Sequence, residues 1–253
     1  MTEHITSLKN PKILAWKALK DRKGRKESGY FLVEGRKMVE EALASCFPVE
    51  TILVDERRSG EFPLPAGVPA YALPEHVLAA ICDTKTPQGI AAVVRMAPPI
   101  RLGSRLVAMD GVQDPGNVGT IIRTADAAGF DGVLLSAQCA DVFSPKVLRA
   151  TMGSVFRMAV QVADDLPAAL EKLRGEGCSI ISSQLDGAPF YHREPVGERY
   201  VLVIGSEGNG VTEEVKALAT HRVRLPMRGG AESLNAAVAA GIMMYELTRD
   251  LDG

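Results

Sequence analysis

Apolar runs and stretches with helical spacing alternate along the C-terminal part of the chain. The strand-like apolar runs cover residues 106–109, 132–135, 158–162, 179–181, 201–204 and 222–225. The helical stretches between and after them cover residues 118–128, 144–152, 167–174, 212–219 and 232–248. Alternation of this kind indicates βαβ units, so the pattern predicts an α/β fold built on a mostly parallel sheet.

The first 95 residues show a shorter and less regular pattern. Strands are predicted at residues 30–33, 51–54 and 90–94, and helices at residues 11–22, 36–44 and 75–81. Between this part and the regular part, Pro98 and Pro99 exclude a regular element. We therefore predict a smaller α/β domain over 1–95, a linker over 96–104 and a larger domain over 105–253, which suits a chain of 253 residues.

The last predicted helix has an apolar stripe. The stripe consists of Leu234, Ala237, Val238, Gly241, Ile242 and Tyr245. Its spacing indicates one helical face, which we expect to pack either on the sheet or on a partner.

Composition excludes several classes of protein. Hydrophobic residues make up 46% and charged residues 24% of the chain, which rules out disordered chains, collagen and small disulfide scaffolds. The longest nearly apolar run, 236–245, is half a membrane span, and no basic-then-apolar leader begins the chain. Four cysteines lack zinc or redox spacing. We expect a cytoplasmic protein with reduced thiols, no membrane association and no metal.

The net charge of −2 argues against binding to nucleic acid, but the charge is unevenly distributed. Residues 1–37 hold ten Lys or Arg and four acidic residues, a balance of +6 that leaves −8 for the rest. A second stretch, 142–163, contains basic residues and no acid. Each segment suits either a phosphate-contacting surface or an ordinary solvated helix face.

Three predicted strands end in loops that are rich in glycine and polar residues and that lead into helices. These loops are residues 109–119, 204–210 and 225–235. Ligands bind at the carboxyl ends of parallel strands, where glycine lets them approach the backbone and helix N–H groups. One such loop is typical of a tight βα turn, whereas three in one sheet indicate a site.

The usual nucleotide and hydrolase motifs are absent from these loops. The second loop reads G-x-x-G-x-G, which does not match the dinucleotide fingerprint G-x-G-x-x-G. The chain contains neither a P-loop nor a G-x-S-x-G elbow. All four histidines lie outside the loops, which disfavours a histidine base.

Five polar residues in or beside the loops are the candidate functional groups: Asn117, Arg123, Glu207, Ser233 and Asn235. Four of them have a purely structural alternative. Arg123 could pair with Asp126 on a helix surface, Glu207 could be a solvated turn residue, and Ser233 and Asn235 could cap a helix.

Together the three loops resemble the SpoU (TrmH-like) family of SPOUT RNA 2′-O-ribose methyltransferases. Asn117 to Arg123 matches the family pattern N-x-G-x-x-x-R, and Gly205 to Gly210 matches G-x-E-G-x-G. The third motif is matched by Pro226-Met227, Gly229 and Ser233-Leu234-Asn235. The resemblance covers about residues 105–249. Residues 1–95 are similar to the L30e-like substrate-binding domain that often precedes this catalytic domain.

The resemblance implies a fold and an activity. The C-terminal sheet would carry a trefoil knot that binds S-adenosylmethionine, and the protein would be a homodimer. It would methylate the 2′-hydroxyl of a ribose in RNA, with ribosomal RNA favoured over transfer RNA. Two other activities stay open: a catalytically silent RNA-binding assembly protein, and methylation of a base nitrogen.

The resemblance also implies residue roles. Catalytic roles fall on Arg123, Asn117, Glu207, Ser233 and Asn235. Cofactor binding falls on Ser136, Gly205, Glu207, Leu225, Met227 and Leu234. RNA binding falls on Lys9, Lys12, Arg36, Lys146 and Arg149. The family assigns activation of the hydroxyl to the motif arginine, yet an arginine is always charged, so binding a phosphate and orienting the ribose is the easier role for Arg123.

Overall fold

The computed structural model describes residues 2–62, 64–96 and 101–249. The described residues form two compact units. The first consists of the residues up to 96 together with Asp141–Phe156, and the second consists of 101–140 and 157–249. Residues 97–100 of the predicted linker lie outside the described residues. Within the described part of the chain, no helix combines the length and the apolar character needed to span a membrane.

Eleven strands and nine α-helices are formed by the described residues. The strands are β1 Thr2–His4, β2 Tyr30–Glu34, β3 Val49–Asp55, β4 Ala70–Leu73, β5 Ile90–Arg95, β6 Arg105–Asp110, β7 Gly132–Ser136, β8 Ala159–Ala163, β9 Ser179–Pro189, β10 Tyr200–Gly205 and β11 His221–Arg224. The helices are α1 Pro11–Ala18, α2 Arg22–Ser28, α3 Arg36–Leu43, α4 Glu75–Ile81, α5 Pro115–Ala127, α6 Pro145–Thr151, α7 Leu166–Gly175, α8 Glu213–Leu218 and α9 Ala236–Thr248.

The first unit contains a mixed sheet in the order β1-β4-β3-β5-β2. Strands β1, β4 and β3 are parallel, and β5 runs antiparallel to β3 and β2. Helices α1 and α4 bury Ile13, Trp16, Val77 and Ile81 in its core. Strands β1 and β4 are not predicted from the sequence, because β4 is only four residues long and lies between Pro69 and Pro74.

The predicted helix over 11–22 is too long at its C-terminal end. Helix α1 ends at Ala18, and a separate helix α2 begins at Arg22. The two helices approach closely at Gly24, where a Cβ atom would lie 2.1 Å from the carbonyl oxygen of Ala18. A side chain at this position would clash with the backbone, so the turn between the two helices requires the glycine.

The second unit contains a parallel sheet in the order β11-β9-β10-β6-β7-β8. Its central strands are buried on both faces: in β6, Leu106 and Val107 point to opposite faces and both are fully buried. Burial on both faces explains why these strands are apolar runs without alternation. The predicted α/β fold with a mostly parallel sheet is confirmed.

Residues 141–156 pack within the first unit, a grouping that the linear pattern does not predict. The Phe143 ring lies 4.6 Å from that of Phe31, measured between centroids, and the Phe156 ring lies 5.4 Å from that of Phe47. The buried guanidinium of Arg25 donates to Asp141 Oδ2 at 2.6 Å. Helix α6 and its flanks are therefore held by an aromatic cluster and a largely buried ion pair.

The predicted start of the last helix, at residue 232, is also wrong. Helix α9 begins at Ala236, because the side chain of Asn235 accepts hydrogen bonds from the N–H groups of Ala237 and Val238. Residues 225–235 before this cap are not helical. They stay available as a loop at the edge of the sheet.

Candidate functional site

The site lies where the order of the parallel sheet reverses. Strands β7 and β8 lie on one side of β6, and β10, β9 and β11 lie on the other. At the carboxyl ends of the two strands that meet there, Asp110 of β6 is paired with Gly205 of β10. A reversal of this kind opens a crevice in which ligands bind in open α/β sheets.

The loop after β10 forms one wall of the crevice. Ser206 and Gly210 exchange two backbone hydrogen bonds of 3.1 and 2.9 Å, which close the loop into a tight turn. At Gly205 a Cβ atom would lie 2.1 Å from the carbonyl carbon of Gly210 and 2.2 Å from the nitrogen of Val211. Glycine is therefore required at the base of this loop.

One residue from each of the three motifs meets in a single hydrogen-bonded network. The Asn117 side chain donates through Nδ2 to Glu207 Oε1. Its Oδ1 accepts a hydrogen bond of 2.9 Å from Asn235 Nδ2. Three segments far apart in sequence are thus joined, and the carboxylate of Glu207 is held in one orientation.

Helix caps fix the asparagines of this network. The N-cap residue Asp114 accepts from the Asn117 backbone N–H at 2.8 Å, and Pro115 opens helix α5. Asn235 caps α9 through Oδ1 and donates to Asn117 through Nδ2. The capping alternative for Asn235 is correct, but it accounts for only one end of the amide.

A cavity of about 400 Å³ lies beside the network. Its apolar wall is made of Leu225, Met227, Leu234, Ala236, Ala239 and Met243, and its polar wall includes residues 205–210. Five of the six predicted cofactor-binding residues line it: Gly205, Glu207, Leu225, Met227 and Leu234. The combination of an apolar wall with backbone donors and acceptors suits a small organic ligand.

A larger cleft of about 610 Å³ lies on the other side of residues 206–210, which line both spaces. Its lining includes the sixth predicted cofactor residue, Ser136, which does not line the smaller cavity. Ser136 is buried, and its hydroxyl accepts a hydrogen bond of 2.9 Å from the Gly111 N–H. In this structure Ser136 positions the loop after β6.

Two predicted catalytic residues lie outside the network. Arg123 is exposed on α5, lines neither cavity and has no ion pair among the described residues. The alternative that pairs it with Asp126 is wrong, because Asp126 accepts from Arg157 at 2.8 Å. Ser233 lines the smaller cavity, and its hydroxyl makes no hydrogen bond with the described residues.

A buried thiol lies under the site and is held unreactive. Burial raises the pKa of Cys139, and this effect outweighs hydrogen bonds that act in the opposite direction. The thiol donates to the carbonyl oxygen of Met109 at 3.2 Å. Because the thiolate is the reactive form, Cys139 is structural.

The five predicted RNA-binding residues all belong to the first unit: Lys9, Lys12, Arg36, Lys146 and Arg149. Three of them have acidic partners: Lys12 pairs with Glu3, Arg36 with Glu40 at 2.8 Å, and Arg149 with Asp83 at 2.8 Å.

Lys12 also donates to the Tyr71 hydroxyl, and this bond raises its pKa. Lys9 and Lys146 are exposed and have no ion pair among the described residues. Lys9 and Lys146 are therefore the two predicted RNA-binding residues whose charges are not paired with an acidic side chain among the described residues.

Several residues that line the site are missed by sequence reasoning. Asp110, Gln138 and Asp164 line the larger cleft, and residues 183–186 line the smaller cavity. The last group lies in the extension of β9, which is predicted to end at residue 181. Asp110 lies inside the first polar loop, so its position at a strand end was the available signal.

Two family models match the chain. The model of the SpoU rRNA Methylase family matches residues 104–245. The model of the MRM3-like substrate binding domain matches residues 10–92. The two matches fall on the two parts of the chain that differ in their sequence pattern.

Relatives are similar over nearly the whole chain. The 23S rRNA (guanosine(2553)-2'-O)-methyltransferase RlmP of Bacillus subtilis is 41% identical, over 97% of this chain and 99% of its own. The 23S rRNA (uridine(2479)-2'-O)-methyltransferase of Streptomyces viridochromogenes is 32% identical, over 97% and 91%. The crystal structure of an AdoMet-bound rRNA methyltransferase from Sinorhizobium meliloti aligns with a TM-score of 0.88 and 33% identity, over 99% of this chain and 98% of that one.

Proposed function

Because the chain belongs to the SpoU rRNA methylase family, as its three motifs predicted, we propose that it methylates the 2′-hydroxyl of a ribose in 23S ribosomal RNA. The protein is an S-adenosylmethionine-dependent methyltransferase. The observation that carries the proposal is the network of Asn117, Glu207 and Asn235, in which Glu207 lines both cavities.

The smaller cavity fits S-adenosylmethionine. Its volume of about 400 Å³ lies within the range of ligand pockets, roughly 300–1,000 Å³. Leu225, Met227 and Leu234 offer apolar surface for the adenine ring, and the backbone of 205–210 offers hydrogen bonds. When bound, this cofactor supplies an electrophilic methyl group on a sulfonium.

The residues of the network act by positioning. In the reaction the bond between the sulfonium sulfur and the methyl carbon breaks, a bond from that carbon to the ribose O2′ forms, and the hydroxyl proton passes to water. Such an in-line displacement depends on the alignment of its atoms. Asn117 and Asn235 hold Glu207 at the boundary of the two cavities, where the ribose would be oriented.

In this proposal Arg123 binds the RNA. Its exposed guanidinium is free of acidic partners among the described residues, so it can pair with a phosphate next to the target ribose. We assign it no proton transfer, because a guanidinium stays charged in proteins.

The protein is proposed to be a homodimer that uses α9 as part of its interface. Leu234, Val238, Ile242 and Tyr245 of the predicted stripe are 38–55% exposed, whereas Ala237 is buried. The stripe therefore does not pack on the sheet, which leaves a partner as the remaining alternative. A second copy of the chain suits an apolar face of this kind, since such faces mark interfaces.

The trefoil knot and the cytoplasmic location belong to the same proposal. The loops after β10 and β11 line one cavity together, which suits a chain that is threaded there. Knots are otherwise almost absent from proteins, so the family is the reason for proposing one. The first unit, with Lys9 and Lys146, would bind the ribosomal RNA.

The proposal is tested by methylation of 23S rRNA transcribed in vitro. We expect transfer from labelled S-adenosylmethionine to a ribose, with Arg123→Ala reducing the rate at least about tenfold, in line with a lost charge-assisted contact. The variant should bind the cofactor as the wild type does by calorimetry. Thr120→Ala, an exposed change on the same helix, is the control.

Three outcomes would contradict the proposal. Full activity of Arg123→Ala would show that Arg123 has no role in the reaction or in RNA binding. A nucleoside methylated on a base nitrogen in the digested product would show that the protein methylates the base and not the ribose. Absence of cofactor binding with and without RNA would indicate a silent assembly protein.

A further inference from the structure

Two basic segments that lie far apart in the sequence meet within the first unit. Helices α2 and α6 both pack against β2, the edge strand of its mixed sheet. Arg25 of α2 is buried and donates through Nε and Nη2 to Asp141 Oδ2, at 3.1 and 2.6 Å. The same guanidinium donates through Nη1 to the carbonyl oxygens of Leu19 and Lys20, each at 2.7 Å. One buried side chain therefore joins the turn before α2 to the segment that carries α6.

Three cations on these two helices have no acidic partner. The side chains of Arg22, Lys26 and Lys146 are exposed and make no hydrogen bond or ion pair with the described residues. Lys23 differs from them, since it pairs with Glu27 at 3.8 Å. Arg22 and Lys26 are four residues apart on α2, so their like charges lie on one helix face, an arrangement that destabilises a helix.

The positions of these cations argue against a role in stabilising the helices. Arg22 is the first residue of α2 and Lys146 the second of α6, where the helix dipole favours acidic side chains. Neither helix has an acidic residue in its first turn, and Asp21, which precedes α2, makes no hydrogen bond with its N–H groups. The cations are thus placed against the local electrostatics of both helices, a cost that a bound anion would offset.

We propose that α2 and α6 form one surface, defined by Arg22, Lys26 and Lys146, that binds the sugar-phosphate backbone of the substrate RNA. This inference rests on the proposed function, which supplies RNA as the substrate. Cations that contact phosphates give affinity and orientation without reading bases, so this surface does not choose the nucleotide. The Arg25–Asp141 pair holds the two helices before RNA binds, which lowers the entropy cost of binding.

The proposal divides the predicted RNA-binding residues into two groups. Lys12, Arg36 and Arg149 already have acidic partners, so a phosphate would have to compete with a carboxylate for each of them. Lys146 has no such competitor. Arg22 and Lys26 are additions to the predicted set, and the fold of the first unit is what places them in one surface with Lys146.

The experiment measures filter binding of an unmodified 23S rRNA transcript over a series of salt concentrations. The test variant removes the three cations of the surface: Arg22→Gln, Lys26→Gln and Lys146→Gln. The control removes the same total charge at three exposed positions of the second unit: Arg101→Gln, Lys172→Gln and Arg174→Gln.

The salt dependence of binding counts the phosphate contacts. Each contact contributes about 0.7–0.9 to the slope of log K against log salt concentration, so the test variant should reduce the slope by about 2–3. Each of the three single variants should reduce it by about 0.7–0.9. The Kd for RNA should rise at least about tenfold in the test variant and stay within about twofold in the control.

Kinetics and cofactor binding separate this surface from the site of methyl transfer. The test variant should raise KM for RNA and keep kcat at saturating RNA, because the cavity assigned to the cofactor belongs to the second unit. Its Kd for S-adenosylmethionine and its thermal unfolding should match those of the wild type.

Three results would overturn the surface: a salt slope unchanged in the test variant, an equal loss of RNA binding in the control, or a lowered kcat with an unchanged KM for RNA. The proposed function fails by a different result, a wild type that transfers no methyl group to a ribose. The salt slope is measured on RNA binding alone, so it decides the surface in either case.

Discussion

At the scale of single residues, the candidate groups stabilise local structure and also meet in the candidate site. Asn235 caps a helix with its oxygen and joins the network with its nitrogen. Asn117 is placed by the cap of its own helix and in turn holds Glu207. A structural role as a helix cap therefore does not exclude a functional role at these positions, which stays a prediction.

The loop after β10 gives a prediction about stability. Gly205→Ala would place a Cβ atom 2.1 Å from backbone atoms that cannot move alone, so we expect a loss of about 1–3 kcal/mol in the free energy of unfolding. In the same loop, a Cβ atom added at Gly208 would meet nothing within 4 Å, and Gly208→Ala should unfold as the wild type does. Urea unfolding measures both, and equal midpoints for the two variants would contradict the close approach.

At the scale of elements, helix ends and strand ends place the site. Helices α5 and α9 begin with capped asparagine-bearing turns, and β6 and β10 end side by side at the crevice. The boundaries of these elements therefore determine which side chains meet. A start of α9 at residue 232, as predicted, would have put the loop of residues 232–235 inside a helix.

The cap of α9 allows the two roles of Asn235 to be separated. Asn235→Asp keeps the capping oxygen but loses the Nδ2 donor to Asn117 and adds a charge near Glu207. We expect near-wild-type thermal stability and a loss of methyl transfer. Asn235→Ala loses both groups and should also lose about 1 kcal/mol of stability. Calorimetry and an activity assay distinguish them, and an active Asn235→Asp would limit the residue to capping.

The start of β6 carries an acid-sensitive contact. Burial by itself would raise the pKa of the Asp131 carboxyl. The carboxylate accepts hydrogen bonds from the backbone N–H groups of Arg105 and Ser104 and from the Arg105 side chain, and these bonds outweigh burial and lower the pKa below its usual value of 3.8. The carboxylate therefore stabilises the fold above about pH 4, and this contribution is lost as the pH falls through the lowered pKa.

Asp131→Asn should be less stable than the wild type at pH 7 and should lose less stability on acidification below pH 4. Urea unfolding at pH 7 and pH 3 measures the difference. Glu198→Gln, at an exposed position without an ion pair among the described residues, is the control. Parallel losses in Asp131→Asn and the wild type on acidification would refute the role of this carboxylate.

At the scale of the whole molecule, the chain forms two units that do not follow sequence order. Residues 141–156 belong to the first unit, although the residues before and after them in sequence belong to the second. They are held there by the ring contacts of Phe143 and Phe156 and by the ion pair of Asp141. Two of the predicted RNA-binding residues, Lys146 and Arg149, thus belong to the same unit as Lys9, Lys12 and Arg36. The basic residues separated in sequence are gathered in one unit.

The exposed stripe on α9 predicts the oligomeric state. Ile242→Glu should convert a dimer to a monomer, because it places a charge in an apolar interface. Leu14→Glu, at another exposed apolar position on α1, should leave the dimer intact. Sedimentation equilibrium measures both masses. A wild type that sediments as a monomer would contradict the proposed homodimer.

The sequence by itself determined the parallel sheet, the three loops and the residues that meet in them, because apolar periodicity and glycine-rich strand ends are local signals. Motif position predicts Asn117, Glu207 and Asn235, which meet in one network, and five of the six predicted cofactor-binding residues, which line one cavity. Only the tertiary structure decided that Ser136 lines the larger cleft, that Asp126 pairs with Arg157, and that residues 141–156 join the first unit. These outcomes depend on side-chain contacts between residues far apart in the chain, which periodicity and spacing do not encode.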